Sequence, residues 1–264
     1  MGKLILGRFI PGNSLIHQLD PRTKLVGSFY FIFLLFWANN WQTYLLATVF
    51  TVITVLLSKI NMLFFLKGIR PMLLLILFTV ILQIFFTAGG KILCSFGPLK
   101  LTSCGLINGV FIFIRFILII SISTLMTLTT QPLSMSDAVE FLLRPLKVIK
   151  FPVHEVSLML SIALRFVPTL MDETEKIMNA QRARGVDFNN GKLMQRIKAV
   201  ILLLIPLFVS SFKRADELAT AMEARGYQGG EGRTRYRKLT WHLRDTFAIF
   251  ILITLTVGML MARK

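Results

Sequence analysis

Apolar runs separated by short polar breaks predict a chain made almost entirely of helices, most of them too apolar for water. Residues 25–57 form one such run, interrupted by Asn39, Asn40 and Gln42 within FLLFWANNWQTYLL. A single helix there would exceed one bilayer crossing of about 20 residues, and the polar trio between Trp37 and Trp41 reads as a turn at the interface. Two short spans, near 25–38 and 42–58, are expected, with a tilted or re-entrant pair as the alternative. Lys59, Asn61, Lys67 and Arg70 bring the chain back to the cytoplasmic side. Pro71 is then expected early in a helix over MLLLILFTVILQIFF, whose one polar break is Gln83. Residues 89–104 hold two β-capable stretches about Gly97 and Pro98 and predict an external hairpin. The next span, about 105–129, carries Arg115 within it.

From Gln131 the pattern becomes amphipathic. Pro132 opens a short segment with Val139, Leu142, Leu143 and Leu146 at helical spacing, Ser134 or Ser136 as candidate cap and Pro145 near its end. After Pro152 a second helix shows a stripe of Val156, Met159, Leu160, Ala163, Leu164 and Val167, which continues past an expected kink at Pro168 and stops at Gly185. A third helix begins near 191 with Lys192, Arg196 and Lys198. Its apolar core of about 14 residues contains Pro206 and is short for a crossing, so it is expected to dip into the interface or pack beneath the spans. The helix-forming KRADELATAMEARG continues it. Gly226, Gly229, Gly230 and Gly232 then break the chain before the basic run Arg233, Arg235, Arg237 and Lys238, and a last span covers 239–261, with Trp241 and His242 at its entrance and Arg244 and Asp245 as an early charged pair.

Composition supports this reading. Hydrophobic residues make up 55% of the 264 and charged residues 16%, against about 25% charged in a soluble chain; the mean hydropathy is +0.69. The expected fold is an all-α integral membrane protein of about five transmembrane helices plus long amphipathic helices on the cytoplasmic side. Its sections are a cytoplasmic segment 1–24, four spans in 25–130, a cytoplasmic or interfacial section 131–238 and a C-terminal span 239–264. Lys3 and Arg8 precede no apolar signal-peptide core, so the first segment is expected to be retained. Five crossings put the C-terminus outside, a count that Arg263 and Lys264 oppose.

The net charge of +17 would suit nucleic acid, but its distribution does not. Residues 1–130 hold ten Lys or Arg against one acid, mostly before, between or at the ends of apolar runs, where cytoplasmic charge meets anionic lipid. No nucleic-acid partner is expected; the bilayer is. Cys94 and Cys104 share one loop, where a disulfide is open if that loop lies outside, and neither has metal-ligand neighbours. His17, His154 and His242 are scattered and form no metal or acyl-transfer site. Glu173 and Glu175 read as solvated, and Asp172 with Lys176 as an i,i+4 surface pair. Gln83 is a packing contact or a substrate ligand. Arg115 is held by carbonyls, Ser or lipid phosphate, or serves transport or a partner. No phosphate-binding GxxxxGK[ST] loop is present, so no nucleotide or other cofactor is expected on this chain.

One repetition has chemical content. Ala180-x-x-Ala183-Arg184-Gly185 is matched by Ala221-x-x-Ala224-Arg225-Gly226, 41 residues on, each at the end of a long helix. Arg followed by Gly is ordinary helix-end chemistry, since Gly takes the left-handed conformation and the dipole favours a cation. The functional alternative is a two-pronged plug: small Ala residues enter a partner's groove and a planar guanidinium binds a carboxylate there.

With both Ala-Arg-Gly ends and the opening run GRFIPGNSLIHQLDPRTKL, the chain resembles the transmembrane coupling subunit of energy-coupling factor (ECF) transporters, the EcfT or CbiQ-like family. Pro11, Gly12, Ser14, His17, Leu19, Asp20, Pro21, Arg22 and Lys24 look like that family's opening signature, and the order of spans extends the likeness over essentially the whole chain. The resemblance implies that the helices of the basic section are coupling helices, and that Arg184 and Arg225 dock into two ATP-binding cassette (ABC) ATPases, with Ala183, Gly185, Ala224 and Gly226 fitting close. ATP and Mg would then sit on those partners, and their closure would move a separate substrate-binding membrane protein, the S-component, for uptake of a vitamin or other micronutrient across a prokaryotic cell membrane. The surroundings of the two arginines differ, Gln181 and Arg182 before one and Met222 and Glu223 before the other, which favours two non-identical ATPases. The rival readings are a membrane adaptor without transport and a self-contained permease. The permease should show facing polar groups through the spans, where Gln83 and Arg115 stand almost alone.

Overall fold

The computed structural model describes residues 9–87, 89, 91–96, 99–149, 152–188, 193–229 and 239–263. Lys3, Arg8, Lys192, Gly230, Gly232, Lys264 and the run Arg233 to Lys238 lie outside the described residues. The chain forms two compact units, Met1–Val139 with Lys238–Lys264, and Glu140–Arg237.

In the first unit, Asp20 accepts the Arg22 backbone N–H at 2.8 Å and Pro21 supplies the first turn, so helix α1 runs Pro21–Trp37. The polar trio does break the run: α2 begins at Trp41 and ends at Leu57, with the Asn40 N–H bonded to Thr43 Oγ at 3.2 Å. Helix α3 spans Met62–Phe86 and so contains Pro71 rather than starting near it. A proline removes one backbone donor, whereas MLFFLKGIR before it is good helix-forming sequence, so the helix tolerates the break. Strands β1, Ile92–Phe96, and β2, Leu99–Thr102, pair antiparallel as the expected hairpin. Helix α4 covers Ser103–Thr129 and α8 covers Leu243–Ala262.

Packing joins α1, α2, α4 and α8. Phe31, Leu35, Ala47, Leu118 and Ile122 form one buried cluster; Leu34, Ala38, Tyr44 and Met259 form another. Outward side chains such as Phe33, Leu74 and Phe86 are 72%, 80% and 75% exposed, an apolar surface that lipid covers. Helices α3 and α4 approach closely because α4 carries glycines one turn apart. A Cβ on Gly105 would lie 2.6 Å from the Ile84 carbonyl oxygen, and one on Gly109 2.7 Å from Ile84 Cγ1. Gly109→Leu is therefore expected to force α3 off α4 and destabilise the detergent-purified chain by about 1–3 kcal/mol. Thermal unfolding checks this, with Cys104→Ala, at an exposed free thiol, expected to leave the midpoint unchanged.

Helix α5 spans Pro132–Leu143, a 3-10 turn follows over Arg144–Ile149, and the second unit is completed by α6, Val153–Ala183, and α7, Leu193–Ala224. Ser134 and Ser136 are not caps: both lie inside α5 and are buried, because Pro132 itself opens the helix. The Ser157 hydroxyl donates to Glu140, tying the end of α5 to the start of α6. Helices α6 and α7 continue through Pro168 and Pro206. By length and composition α4, α6, α7 and α8 are all long and apolar enough to cross a membrane. The section 131–238, expected to be cytoplasmic or interfacial, thus holds two such helices, and the 14-residue apolar core of α7 lies within a continuous helix of 32 residues.

Candidate functional site

The opening signature folds into a polar knot. The His17 Nε2–H donates to the Ile10 carbonyl at 3.0 Å, and since a carbonyl can only accept, the proton sits on Nε2. Nδ1 then accepts from the Ser14 hydroxyl at 2.6 Å. Burial pushes the imidazole below its ordinary pKa; the Ile10 bond opposes that shift and the Lys24 charge adds to it. Both ring nitrogens are thereby used in structure. Gly12 packs against this ring, where a Cβ would stand 3.0 Å from His17 Cε1.

Lys24 donates to the His17 carbonyl at 3.2 Å and to the Thr129 carbonyl at 2.9 Å, and the Ile10 N–H donates to the Leu128 carbonyl at 3.0 Å. These bonds fasten the N-terminal segment to the end of α4. Asp245 extends the knot to α8. It is 0% exposed; Oδ1 accepts the Asp20 N–H at 2.8 Å and Oδ2 accepts the His242 N–H at 2.9 Å. Arg244 donates to Gln18 beside it. Sequence reasoning took Asp245 and Arg244 as a charged pair. The structure gives them separate partners in the N-terminal segment, and Asp245 is the buried staple that the sequence did not reveal.

Gln83 and Arg115 are structural in their contacts. Gln83 Nε2 donates to Thr87 Oγ at 3.0 Å in the last turn of α3, and the Thr87 carbonyl accepts the hydroxyl of Thr102, the N-cap of α4, at 3.0 Å. The Arg115 guanidinium donates to the Ala38 carbonyl at 3.1 Å and lies 5.6 Å and 5.8 Å from the ring centres of Phe36 and Tyr44. It closes the α1–α2 turn by carbonyl capture and cation–π contact.

The two Ala-Arg-Gly ends share one geometry. On α6 the Gly185 N–H donates to the Arg182 carbonyl at 2.9 Å and the Val186 N–H to the Gln181 carbonyl at 3.0 Å. On α7 the Gly226 N–H donates to the Glu223 carbonyl at 2.8 Å and the Tyr227 N–H to the Met222 carbonyl at 3.0 Å. Both are Schellman closures, with glycine φ of +86° and +71°. Open space surrounds both glycines. Ala183, Arg184, Ala224 and Arg225 are exposed, and no hydrogen bond or ion pair engages either guanidinium among the described residues. Arg182, two positions before Arg184, is occupied locally, with its guanidinium 5.9 Å from the Phe188 ring centre.

Each end presents an exposed guanidinium beside a glycine-closed helix terminus. Among the described residues no three His, Cys, Asp or Glu side chains gather as a metal site. The molecule is a multi-pass membrane protein that displays two matched cationic helix ends. A family model described as cobalt transport protein, CbiQ, matches residues 12–236. The chain is 62% identical over 263 residues to the energy-coupling factor transporter transmembrane protein EcfT of Lacticaseibacillus paracasei, covering 100% of each. It is 59% identical to the protein of that name from Streptococcus thermophilus over 255 residues, 97% of each chain. With that of Bacillus subtilis it shares 54% over 255 residues, 97% of this chain and 96% of the relative. The chain belongs to the family of energy-coupling factor transporter transmembrane proteins. Its role is that of the non-catalytic coupling subunit in the membrane.

Proposed function

We propose that Arg184 and Arg225 insert into grooves of two ABC ATPase subunits that carry ATP and Mg. Ala183, Gly185, Ala224 and Gly226 let each helix end enter closely. The S-component lies along the apolar faces of α5, α6 and α7, where Met159, Phe208 and Phe212 are 67%, 60% and 72% exposed. ATP-driven closure of the ATPases shifts the helix ends, and α6 and α7 pass that motion to the S-component, which captures a vitamin or other micronutrient. The single observation that carries this reading is the pair of identical Schellman-capped ends with exposed, unengaged guanidinium groups. A cation held by no internal partner is free to meet a carboxylate of another protein without first breaking a bond. The different residues beside the two arginines suit two non-identical ATPases.

A photo-crosslinking residue placed at Ala183 or Ala224 in the assembled transporter is expected to form adducts with ATPase subunits. The same probe at Leu74, 80% exposed on α3, should form none. Absence of ATPase adducts from both helix ends would overturn the docking assignment.

A further inference from the structure

Glu173 of α6, expected from sequence to be solvated, is instead engaged across the contact with α7. Arg214 Nη2 donates to its Oε2 at 3.1 Å, and the Ser210 hydroxyl donates to its Oε1. The Arg214 guanidinium lies 5.7 Å from the Phe166 ring centre, and the Arg214 and Glu173 side chains are 33% and 24% exposed. It is the one ion pair among the described residues; Asp172 and Lys176 form none.

The position of this pair is specific. Glu173 and Arg214 are 41 residues apart, the same offset that separates Arg184 from Arg225. Eleven residues lead from Glu173 to Arg184 and eleven from Arg214 to Arg225, roughly 16 Å of helix in each arm. The flanking cleft is lined by Ile162, Phe166 and Leu170 of α6 and by Ser211, Leu218 and Met222 of α7. Early residues of one helix therefore face late residues of the other, an antiparallel arrangement. The two positions eleven residues before the arginines come together in this arrangement. The ion pair is thus the same number of residues from each arginine end.

We infer that Glu173, Arg214 and Ser210 form a positioning brace that fixes the register and crossing of α6 on α7, so that both arginine ends keep one spacing and move as a unit. The inference rests on the docking reading above. Apolar ridges alone allow one helix to slip past the other by a turn, about 5.4 Å. Such a slip would separate this carboxylate from its guanidinium and leave both partly buried without a partner, so the pair selects a single register. The brace carries no substrate and touches no nucleotide; it acts through the helix ends.

The test uses the whole transporter, reconstituted with its ATPases and S-component in proteoliposomes, and reads solute taken up per ATP hydrolysed. Glu173→Arg alone and Arg214→Glu alone are each expected to lower that ratio by roughly fivefold or more, the range of coupling carried by a discrete structural element. The double exchange, Glu173→Arg with Arg214→Glu, should bring the ratio back to within about twofold of the original, the signature of two residues acting on each other. If a single variant fails to assemble, an assembling and coupled double exchange supports the brace equally. Single variants with an unchanged ratio, or a double exchange as defective as the singles, would overturn it. Failure of the docking reading is seen elsewhere, as ATPase recovery that survives charge reversal at Arg184 and Arg225.

Discussion

Asp245→Ala is expected to lower the apparent melting midpoint of the detergent-purified chain by roughly 6–12 °C, the equivalent of about 3 kcal/mol for a protein of this size. The carboxylate has no exposed surface, and it satisfies the backbone N–H groups of Asp20 and His242. Alanine leaves both donors without their acceptor beside the start of α1 and of α8. Hydrogen bonds to a buried charge are the strong kind, and orphaning the donors costs more than the bonds contributed. Asp245→Asn should fall between, because its amide oxygen can serve one N–H while its NH2 faces the other. A midpoint within about 1 °C of the original for Asp245→Ala, less than the shift expected from 1 kcal/mol, would mean that the knot is held by Lys24 and His17 without α8.

Arg184→Glu and Arg225→Glu are expected each to cut ATP-driven uptake severely, and together to abolish it. Removing one partner of a desolvated interfacial charge pair costs about 2–5 kcal/mol, on the order of 30-fold to several thousand-fold in affinity. On the docking proposal, reversal adds repulsion against a carboxylate of the groove. Neither arginine is bonded within the chain among the described residues, so the folded helix loses only the favourable interaction of a cation with its C-terminal dipole, about 1 kcal/mol or less at an exposed end. Lysine at the same sites should retain part of the uptake, since it keeps the charge but cannot form the two-pronged contact. Uptake measured in vesicles, beside the midpoint of the purified chain, separates lost docking from lost fold. A midpoint lowered by no more than a few degrees, with uptake at background, is the expected combination.

Much of the fold was legible because membrane helices announce themselves by unbroken apolar length. The turn at Asn39 and Asn40, the hairpin of Ile92–Phe96 with Leu99–Thr102 and the stops at Gly185 and Gly226 all rest on local chemistry, and local chemistry is what a sequence displays. The start of α3 was misplaced because Pro71 reads as a beginning, although one missing N–H does not end a helix whose other bonds form. The close approach of α3 to α4 was present in the sequence as Gly105 and Gly109 one turn apart, a small-residue signature that hydropathy alone passes over.

The two helix ends were legible in the sequence, and the long-range polar contacts of each unit were not. Ala183-Arg184-Gly185 and Ala224-Arg225-Gly226 are contiguous, so repetition exposes them. Asp245 meets Asp20 across 225 positions, and nothing local separates it from an ordinary acid in a first turn. Glu173 looked solvated because its partner lies on another helix. The offset of 41 residues that pairs the arginine ends also pairs Glu173 with Arg214, and that coincidence was the one available sign.

The central claim is that two matched arginine ends hold the ATPases, and quantitative co-purification tests it most directly. A tagged chain carrying Arg184→Glu and Arg225→Glu is expected to recover no ATPase pair from solubilised membranes while remaining folded and membrane-inserted. Recovery equal to that of the unaltered chain would contradict the account.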